Sequence, residues 1–283
     1  MQLLQSYIDS IINTALEEDI HYVDVTTDYL LPDGHTSSAY YIAKAEGVVC
    51  GLDIAKRVFE LVGGGVQFDA KMKDGDKVKK GDIIAEMSGD TKTLLKGERT
   101  ALNILQHMSG IATATNHCVE LVKGTNAKIT DTRKTLPGLR RLQKYAVIVG
   151  GGRNHRYNLS EGAMLKDNHI DVYGGIVPAV TALREKIGHM TKIEVEVRDL
   201  DELQQALSVN CELIMLDNMS CADMAKAVEI TAGRALLEAS GNVTEENIAE
   251  IAKTGVDIIS LGALTHSVQC FDISMRFAQN PRG

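Results

Sequence analysis

The residues that could do chemistry are concentrated in one stretch of this 283-residue sequence. Between Thr132 and Lys166 stand Arg133, Lys134, Arg140, Arg141, Lys144, Arg153, Arg156 and Lys166. Glu161 is the only acid there, so these 35 residues carry +7. The remainder holds 22 basic against 37 acidic residues, or −15. One basic block inside an acidic chain focuses a field suited to a small, highly charged anion. Arg140, Arg141 and Lys144 have the spacing of one exposed helical face and read as solvated surface. Arg133, Lys134, Arg156 and Lys166 stand beside turns or strand ends, where a ligand can reach them. A net charge of −8 argues against general binding of nucleic-acid backbones. An aromatic content of 4% without tryptophan offers no stacking platform for single strands.

A second set of reactive residues closes a series of short apolar runs. The ends are Lys166-Asp167, Glu196 within Glu194-Val-Glu-Val, Leu216-Asp217-Asn218, Glu238-Ala-Ser240-Gly241 and Leu261-Gly262. A single charged strand end is as readily a structural salt bridge. Five in succession are harder to dismiss, because barrels of parallel strands build their active sites at the C-terminal strand ends. Glu196 and Asp217 supply oxygen ligands of the kind Mg²⁺ takes. Ser240-Gly241 and Gly262-Ala263 put small residues between a strand and the next helix, where backbone N–H groups favour a phosphate. No GxGxxG follows a strand, so a dinucleotide site of that type is not indicated.

The elements that must position these residues are legible from apolar spacing. Leu3, Leu4, Tyr7, Ile8, Ile11, Ile12 and Leu16 predict an amphipathic N-terminal helix. Residues from about 22 to 110 read as a mixed α and β module, with strand-like residues over Ala39–Cys50 and a helix over Leu52–Val62 closed by Gly63-Gly64-Gly65. Turns at Asp74-Gly75-Asp76 and Lys80-Gly81-Asp82 superficially resemble a lipoyl or biotinyl carrier domain. A carrier continues into a second half-domain, whereas this chain enters a long helix from Thr93 to about Met108. From about 111 the pattern alternates. Strands are expected over Ala127–Thr130, Ala163–Leu165, Lys192–Val197, Glu212–Leu216, Ala235–Ala239 and Asp257–Leu261. Helices are expected over Ile176–Ile187, Leu200–Leu207, Cys221–Ile230 and Glu245–Lys253. This is the rhythm of βαβ units, and their number favours an open or closed α/β barrel over a doubly wound sheet. The expected domains are therefore 1–110 and 111–283, the second a catalytic barrel with a C-terminal segment. No run approaches a membrane span. Met1-Gln-Leu-Leu lacks the basic start of a signal peptide. Five cysteines, odd in number and without a CxxC pair, read as free thiols in a reducing cytoplasm.

Taken together, several motifs closely resemble the quinolinate phosphoribosyltransferase family, the carboxylating nicotinate-nucleotide pyrophosphorylases of the type II phosphoribosyltransferases. They are Asp131-Thr-Arg-Lys-Thr-Leu-Pro-Gly-Leu139, Gly150-Gly-Gly-Arg-Asn-His-Arg156, Lys166-Asp-Asn-His169, Glu194-Val-Glu196, Leu216-Asp-Asn218, Glu238-Ala-Ser-Gly241 and Gly262-Ala-Leu-Thr-His-Ser267. The likeness also takes in Leu16-Glu-Glu-Asp19 and Asp24-Val-Thr-Thr27. It implies an N-terminal α/β sandwich followed by an open (β/α) barrel, in a homodimer or multiple of dimers with shared active sites. The implied reaction joins quinolinate to phosphoribosyl pyrophosphate with Mg²⁺ and no organic cofactor, giving nicotinate mononucleotide, pyrophosphate and CO₂. By matching position, Arg133, His155, Arg156 and Lys166 would hold the quinolinate carboxylates. Thr132 would join the substrate-binding set, and Lys134 would sit between the two substrates. Arg99, in Glu98-Arg-Thr-Ala-Leu-Asn103, would reach in from the partner subunit. Glu196 and Asp217 would bind the ribose hydroxyls and Mg²⁺, while Ser240, Gly241, Gly262 and His266 would surround the 5′-phosphate. Lys134, Glu196 and Asp217 carry the expected catalytic roles.

Other readings leave more unexplained. A Schiff-base lyase using Lys166 gives Glu196, Asp217 and the glycine turns no role. A non-catalytic sensor of dicarboxylates needs no metal carboxylates. The paralogous group linked to molybdenum transport shares the fold and some motifs, but the complete set Arg133, His155, Arg156 and Lys166 speaks for quinolinate.

Overall fold

A computed structural model describes residues 3–278 as two compact units. The first takes in residues up to Asn116, 136–151 and those from Ser267 on; the second comprises 117–135 and 152–266. The boundary expected near residue 110 falls inside a single helix.

In the first unit, α1 (Gln5–Ile20) buries Ile12 and Leu16 and packs on α3 (Leu52–Val62), the helix read from the sequence with the same limits. Arg57 of α3 grips Asp9 of α1 two-to-two, at 2.9 and 3.0 Å. After α2 (Thr27–Leu30), β1 (Thr36–Ala43), β3 (Val66–Ala70), β5 (Ile83–Asp90) and the late strand β12 (Ile273–Phe277) form an antiparallel sheet ordered β12-β1-β5-β3. A two-stranded ribbon joins β2 (Gly47–Val48) to β4 (Lys77–Val78). Tyr41, Phe59 and Phe68 cluster where α3 meets the sheet, with Tyr41 edge-on to Phe68 at 6.1 Å and Phe59 tilted against it at 6.3 Å between ring centroids.

The long helix α4 runs Thr91–Leu121, past the expected end at Met108. Asp90 starts it by accepting the Thr93 N–H at 2.7 Å. Gly110 does not end it: that glycine is required because a Cβ there would lie 2.3 Å from the Gln269 carbonyl oxygen. Helix α5 (Arg140–Val149) also belongs to the first unit, so the basic block divides between the two units. Its Lys144 is fully buried, contrary to the exposed face expected for Arg140, Arg141 and Lys144. The helix is covered on the side formed by Leu142, Gln143, Lys144, Ala146 and Val147, and a step of three from Arg141 crosses onto it.

The second unit is a sheet of six parallel strands surrounded by helices. In chain order these are β6 (Lys128–Thr130), β7 (Ala163–Leu165), α6 (Asp167–Tyr173), α7 (Ile176–Arg184), β8 (Ile193–Val197), α8 (Leu200–Ser208), β9 (Leu213–Asp217), α9 (Cys221–Thr231), β10 (Leu236–Ser240), α10 (Ile248–Lys253), β11 (Ile258–Ser260) and α11 (Ala263–His266). All six expected strands are present. The order β6-β11-β10-β9-β8-β7 leaves β6 and β7, neighbours in the chain, at opposite edges: the barrel is open between them. Asp199 and Ser220 cap α8 and α9 by accepting the Glu202 and Asp223 N–H groups. Helix α10 starts three residues later than expected, because Thr244 N–H to Asn247 Oδ1 and Asn247 Nδ2 to Asn242 O hold a turn in its place. All five cysteines are free thiols. Among the described residues no helix is long and apolar enough to cross a membrane.

Candidate active site

Side chains alternate along a strand, so a residue at a strand's C-terminal end shares its face with the residue two before it. In the barrel this produces layers. Lys166, Glu196, Asp217 and Ser240 form the upper one; Met164, Glu194, Met215 and Glu238 lie two residues deeper on the same strands or their direct extensions. A cavity of about 580 Å³ opens over these layers. Its lining includes nine of the expected site residues: Thr132, Arg133, Lys134, His155, Arg156, Lys166, Glu196, Asp217 and Ser240, with Gly241 a tenth.

Local structure explains how each is held. The Lys134 N–H bonds to Thr132 Oγ1 at 3.0 Å, and the Thr265 hydroxyl donates to the Lys134 carbonyl at 2.8 Å. A Cβ on Gly262 would come within 2.8 Å of Lys134 Cδ and 3.0 Å of His266 Cδ2, so this glycine makes room for the lysine stem beside His266. Gly241 has φ +85°, and a Cβ there would meet Asn218 Oδ1 at 2.3 Å. Arg99 is exposed on α4, in the other unit, and is not among the lining residues.

The gap between β6 and β7 is filled by the segment carrying His155 and Arg156. Arg153 pairs with β6, its N–H bonded to the Ile129 carbonyl at 2.8 Å. Fully buried Asp131 accepts the His155 N–H at 2.9 Å and Asn154 Nδ2 at 2.5 Å. Arg156 Nη1 reaches forward to the Gly162 carbonyl at 2.7 Å, just before β7. The Arg156 N–H donates to His155 Nδ1 at 2.8 Å, so the ring proton sits on Nε2, which faces Glu194 Oε2 at 3.0 Å. Both ring nitrogens of His155, expected to hold a quinolinate carboxylate, thus have partners inside the protein: Nδ1 takes the Arg156 backbone N–H and Nε2 faces Glu194.

Electrostatics follow from crowding. Burial, then nearby Arg133, lowers the Arg156 pKa, so two guanidinium groups repel across a space an anion would fill. Burial raises the pKa of Glu196; Lys166, with Nζ 3.5 Å away, opposes this and the Asp217 carboxylate adds to it. Two carboxylates close enough to repel, on adjacent strand ends, suit a shared hard cation. Glu238, on β10, is 1% exposed. Burial and the neighbouring Glu194 push its carboxyl up to about 7.

Sequence reasoning assigns no role to Met164, Glu194, Met215, Asn218, Glu238, Asn242 or Ser260. Five of these, Met164, Glu194, Met215, Glu238 and Ser260, lie two residues before an expected strand-end site residue, so the period-two rule applied backwards from each end finds them. Asn218 and Asn242 are held to each other and to the site, with Asn242 Nδ2 to Asn218 Oδ1 at 2.8 Å and Asn218 Nδ2 to Asp217 Oδ2 at 2.9 Å.

Comparison with known proteins gives one answer. Residues 24–109 match the N-terminal domain, and residues 111–276 the C-terminal domain, of quinolinate phosphoribosyl transferase. The nicotinate-nucleotide pyrophosphorylase [carboxylating] of Mycobacterium leprae is 44% identical over 93% of this chain and 95% of its own. A probable nicotinate-nucleotide pyrophosphorylase [carboxylating] from Bacillus subtilis is 42% identical over 95% and 92%. The solved structure of the nicotinate-nucleotide pyrophosphorylase from Francisella tularensis superposes with a TM-score of 0.94, at 39% identity, over 98% of both chains.

The buried Glu238 carboxyl should make stability pH-dependent with a definite sign. Its folded pKa lies above the unfolded value, so its contribution is fully present below the unfolded pKa and is lost as pH rises through about 7. In urea titrations, Glu238→Gln should therefore gain on wild type by roughly 2–4 kcal/mol between about pH 4.5 and about pH 8. A stability difference that stays flat over that range would show that the carboxyl is ionised throughout.

Proposed function

The chain belongs to the quinolinate phosphoribosyl transferase family, and we infer that its barrel cavity transfers the phosphoribosyl group of phosphoribosyl pyrophosphate to quinolinate with loss of CO₂. The products are nicotinate mononucleotide and pyrophosphate. One observation supports this above others: Arg133, Lys134, Arg156 and Lys166 line the same cavity as the paired carboxylates Glu196 and Asp217. A dicarboxylate and a polyphosphate need the first set; a metal-bound ribose diphosphate needs the second.

The chemistry asks mainly for positioning and charge stabilisation. The bond from the anomeric carbon to the pyrophosphate oxygen breaks, with its electron pair leaving on pyrophosphate. The pyridine nitrogen lone pair forms the new bond and the nitrogen becomes cationic. The adjacent carboxylate then leaves as CO₂, its bonding pair remaining on a ring carbon that the cationic nitrogen stabilises. Arg133, Arg156 and Lys166 hold the two carboxylates, and His155 orients Arg156. Lys134 balances charge between the two substrates. Ser240, Gly241, Gly262 and His266 surround the 5′-phosphate, where small residues leave backbone N–H groups accessible. Glu196 and Asp217 would hold the ribose hydroxyls and a Mg²⁺ ion, and that ion would supply positive charge against the departing pyrophosphate. The active unit is a homodimer in which Arg99 completes the neighbouring site.

Two outcomes test these roles. Glu196→Ala and Asp217→Ala should raise the KM for Mg²⁺–phosphoribosyl pyrophosphate or lower kcat by about tenfold or more, while quinolinate binding measured calorimetrically stays nearly intact. Lost quinolinate affinity with normal cosubstrate handling would reverse the assignment. For Arg99, inactive Arg99→Ala chains mixed with inactive Lys166→Ala chains should regain activity approaching about a quarter of wild type. Half of randomly formed two-fold dimers are then mixed, each with one intact site. No recovery after verified subunit exchange would assign Arg99 to its own barrel or to the fold.

A further inference from the structure

Below the upper layer, the barrel interior carries an acid that phosphoribosyl transfer does not use. Glu238 lines the site cavity from beneath. It also lines a second cavity of about 500 Å³, bordered by residues at the N-terminal strand ends, among them Lys128, Lys192, Leu213, Leu236 and Ile258. A single carboxyl group thus forms part of the wall between the two cavities.

Its surroundings are specific. Glu194 faces it from β8, Ser260 from β11, Asp131 from the end of β6, and His155 from the segment that fills the barrel gap, its Nε2 3.8 Å from Glu238 Oε1. Glu238 Oε1 is buried without a hydrogen-bond partner, and so is Glu194 Oε1. A buried carboxylate oxygen lacking a donor is costly, and a proton on the carboxyl removes the charge. Burial and Glu194 favour that proton; His155 and Ser260 oppose it.

We propose that Glu238 donates the proton taken up by the ring carbon from which CO₂ departs, and that water in the second cavity restores it. This rests on the functional reading above. In the step, the carbon–carbon bond to the carboxylate breaks and CO₂ leaves uncharged. The electron pair left on the ring carbon accepts the Glu238 proton to form a C–H bond. Glu238 remains as carboxylate and takes a proton from solvent through the second cavity, so the proton enters from the opposite end to the substrates.

The test is single-turnover formation of the mononucleotide across pH, with enzyme saturated in Mg²⁺, phosphoribosyl pyrophosphate and quinolinate. The wild-type rate should fall as pH rises through about 7, because the donor must be protonated. Glu238→Gln should slow the step about a hundredfold and abolish this limb, with the quinolinate dissociation constant changed by less than about threefold. Glu238→Asp should keep a limb at a displaced pH. A Glu238→Gln variant with the wild-type rate and limb overturns the proposal. Should that variant not fold, the Asp variant decides: a displaced limb supports Glu238, an unmoved one overturns it. A wild-type chain inert toward quinolinate would instead overturn the functional reading and leave the limb without a reaction to describe.

Discussion

Asp131 meets a requirement that the barrel creates by being open. A parallel sheet that stops at β6 and β7 leaves backbone groups on both edges, and buried edges must be paired or covered. The segment from Arg153 to Arg156 covers this gap, and Asp131 is the anchor that holds it, accepting the His155 N–H and the Asn154 amide while itself fully buried. The bonds that close the wall also aim the chemistry. His155 links the Arg156 backbone to Glu194, and the Arg156 guanidinium is tied to Gly162 at the threshold of β7. Loss of the Asp131 anchor would open the barrel and release the arginine together.

The cavity is assembled from charges that are uncomfortable without a ligand. Arg156 is crowded by Arg133, and Glu196 by Asp217. Lys166 bridges the two camps by reaching Glu196 at 3.5 Å from a half-exposed position, where the pairing adds little stability. Strain of this electrostatic kind would be relieved by an anion against the arginines and a cation against the carboxylates. Substrate binding on the proposed reading would then draw on repulsion already present in the free protein, as preorganised electrostatics require.

Much of this was legible in the sequence because parallel barrels couple local pattern to global position. The six strands follow from apolar runs of three to six residues at regular spacing, and four of the polar residues that close them, Lys166, Glu196, Asp217 and Ser240, fall at the cavity. Three features lay beyond that reasoning. Helix α4 runs on through Gly110 because the glycine answers a tertiary close approach to Gln269, which spacing cannot reveal. Lys144 is buried because α5 is covered over more of its circumference than a simple amphipathic stripe implies. His155 matched a motif, yet its nitrogens are committed to Glu194 and the Arg156 backbone, a fact of three-dimensional hydrogen bonding alone. Glu194 and Glu238 stand in plain view two residues before the expected strand ends; their burial, not their spacing, carries the chemistry.

On this account one cavity couples phosphoribosyl transfer to loss of CO₂ from a dicarboxylate, and that coupling can be measured. Its most direct measurement is the stoichiometry of CO₂, pyrophosphate and mononucleotide released from phosphoribosyl pyrophosphate, with quinolinate or with nicotinate as acceptor. With quinolinate and Mg²⁺ the three products should appear in equal amounts. Nicotinate, lacking the second carboxylate, should react at least about a hundredfold more slowly, since part of the half-buried arginine set would be left without its carboxylate partner. Comparable turnover of nicotinate, or pyrophosphate release without quinolinate, would contradict it.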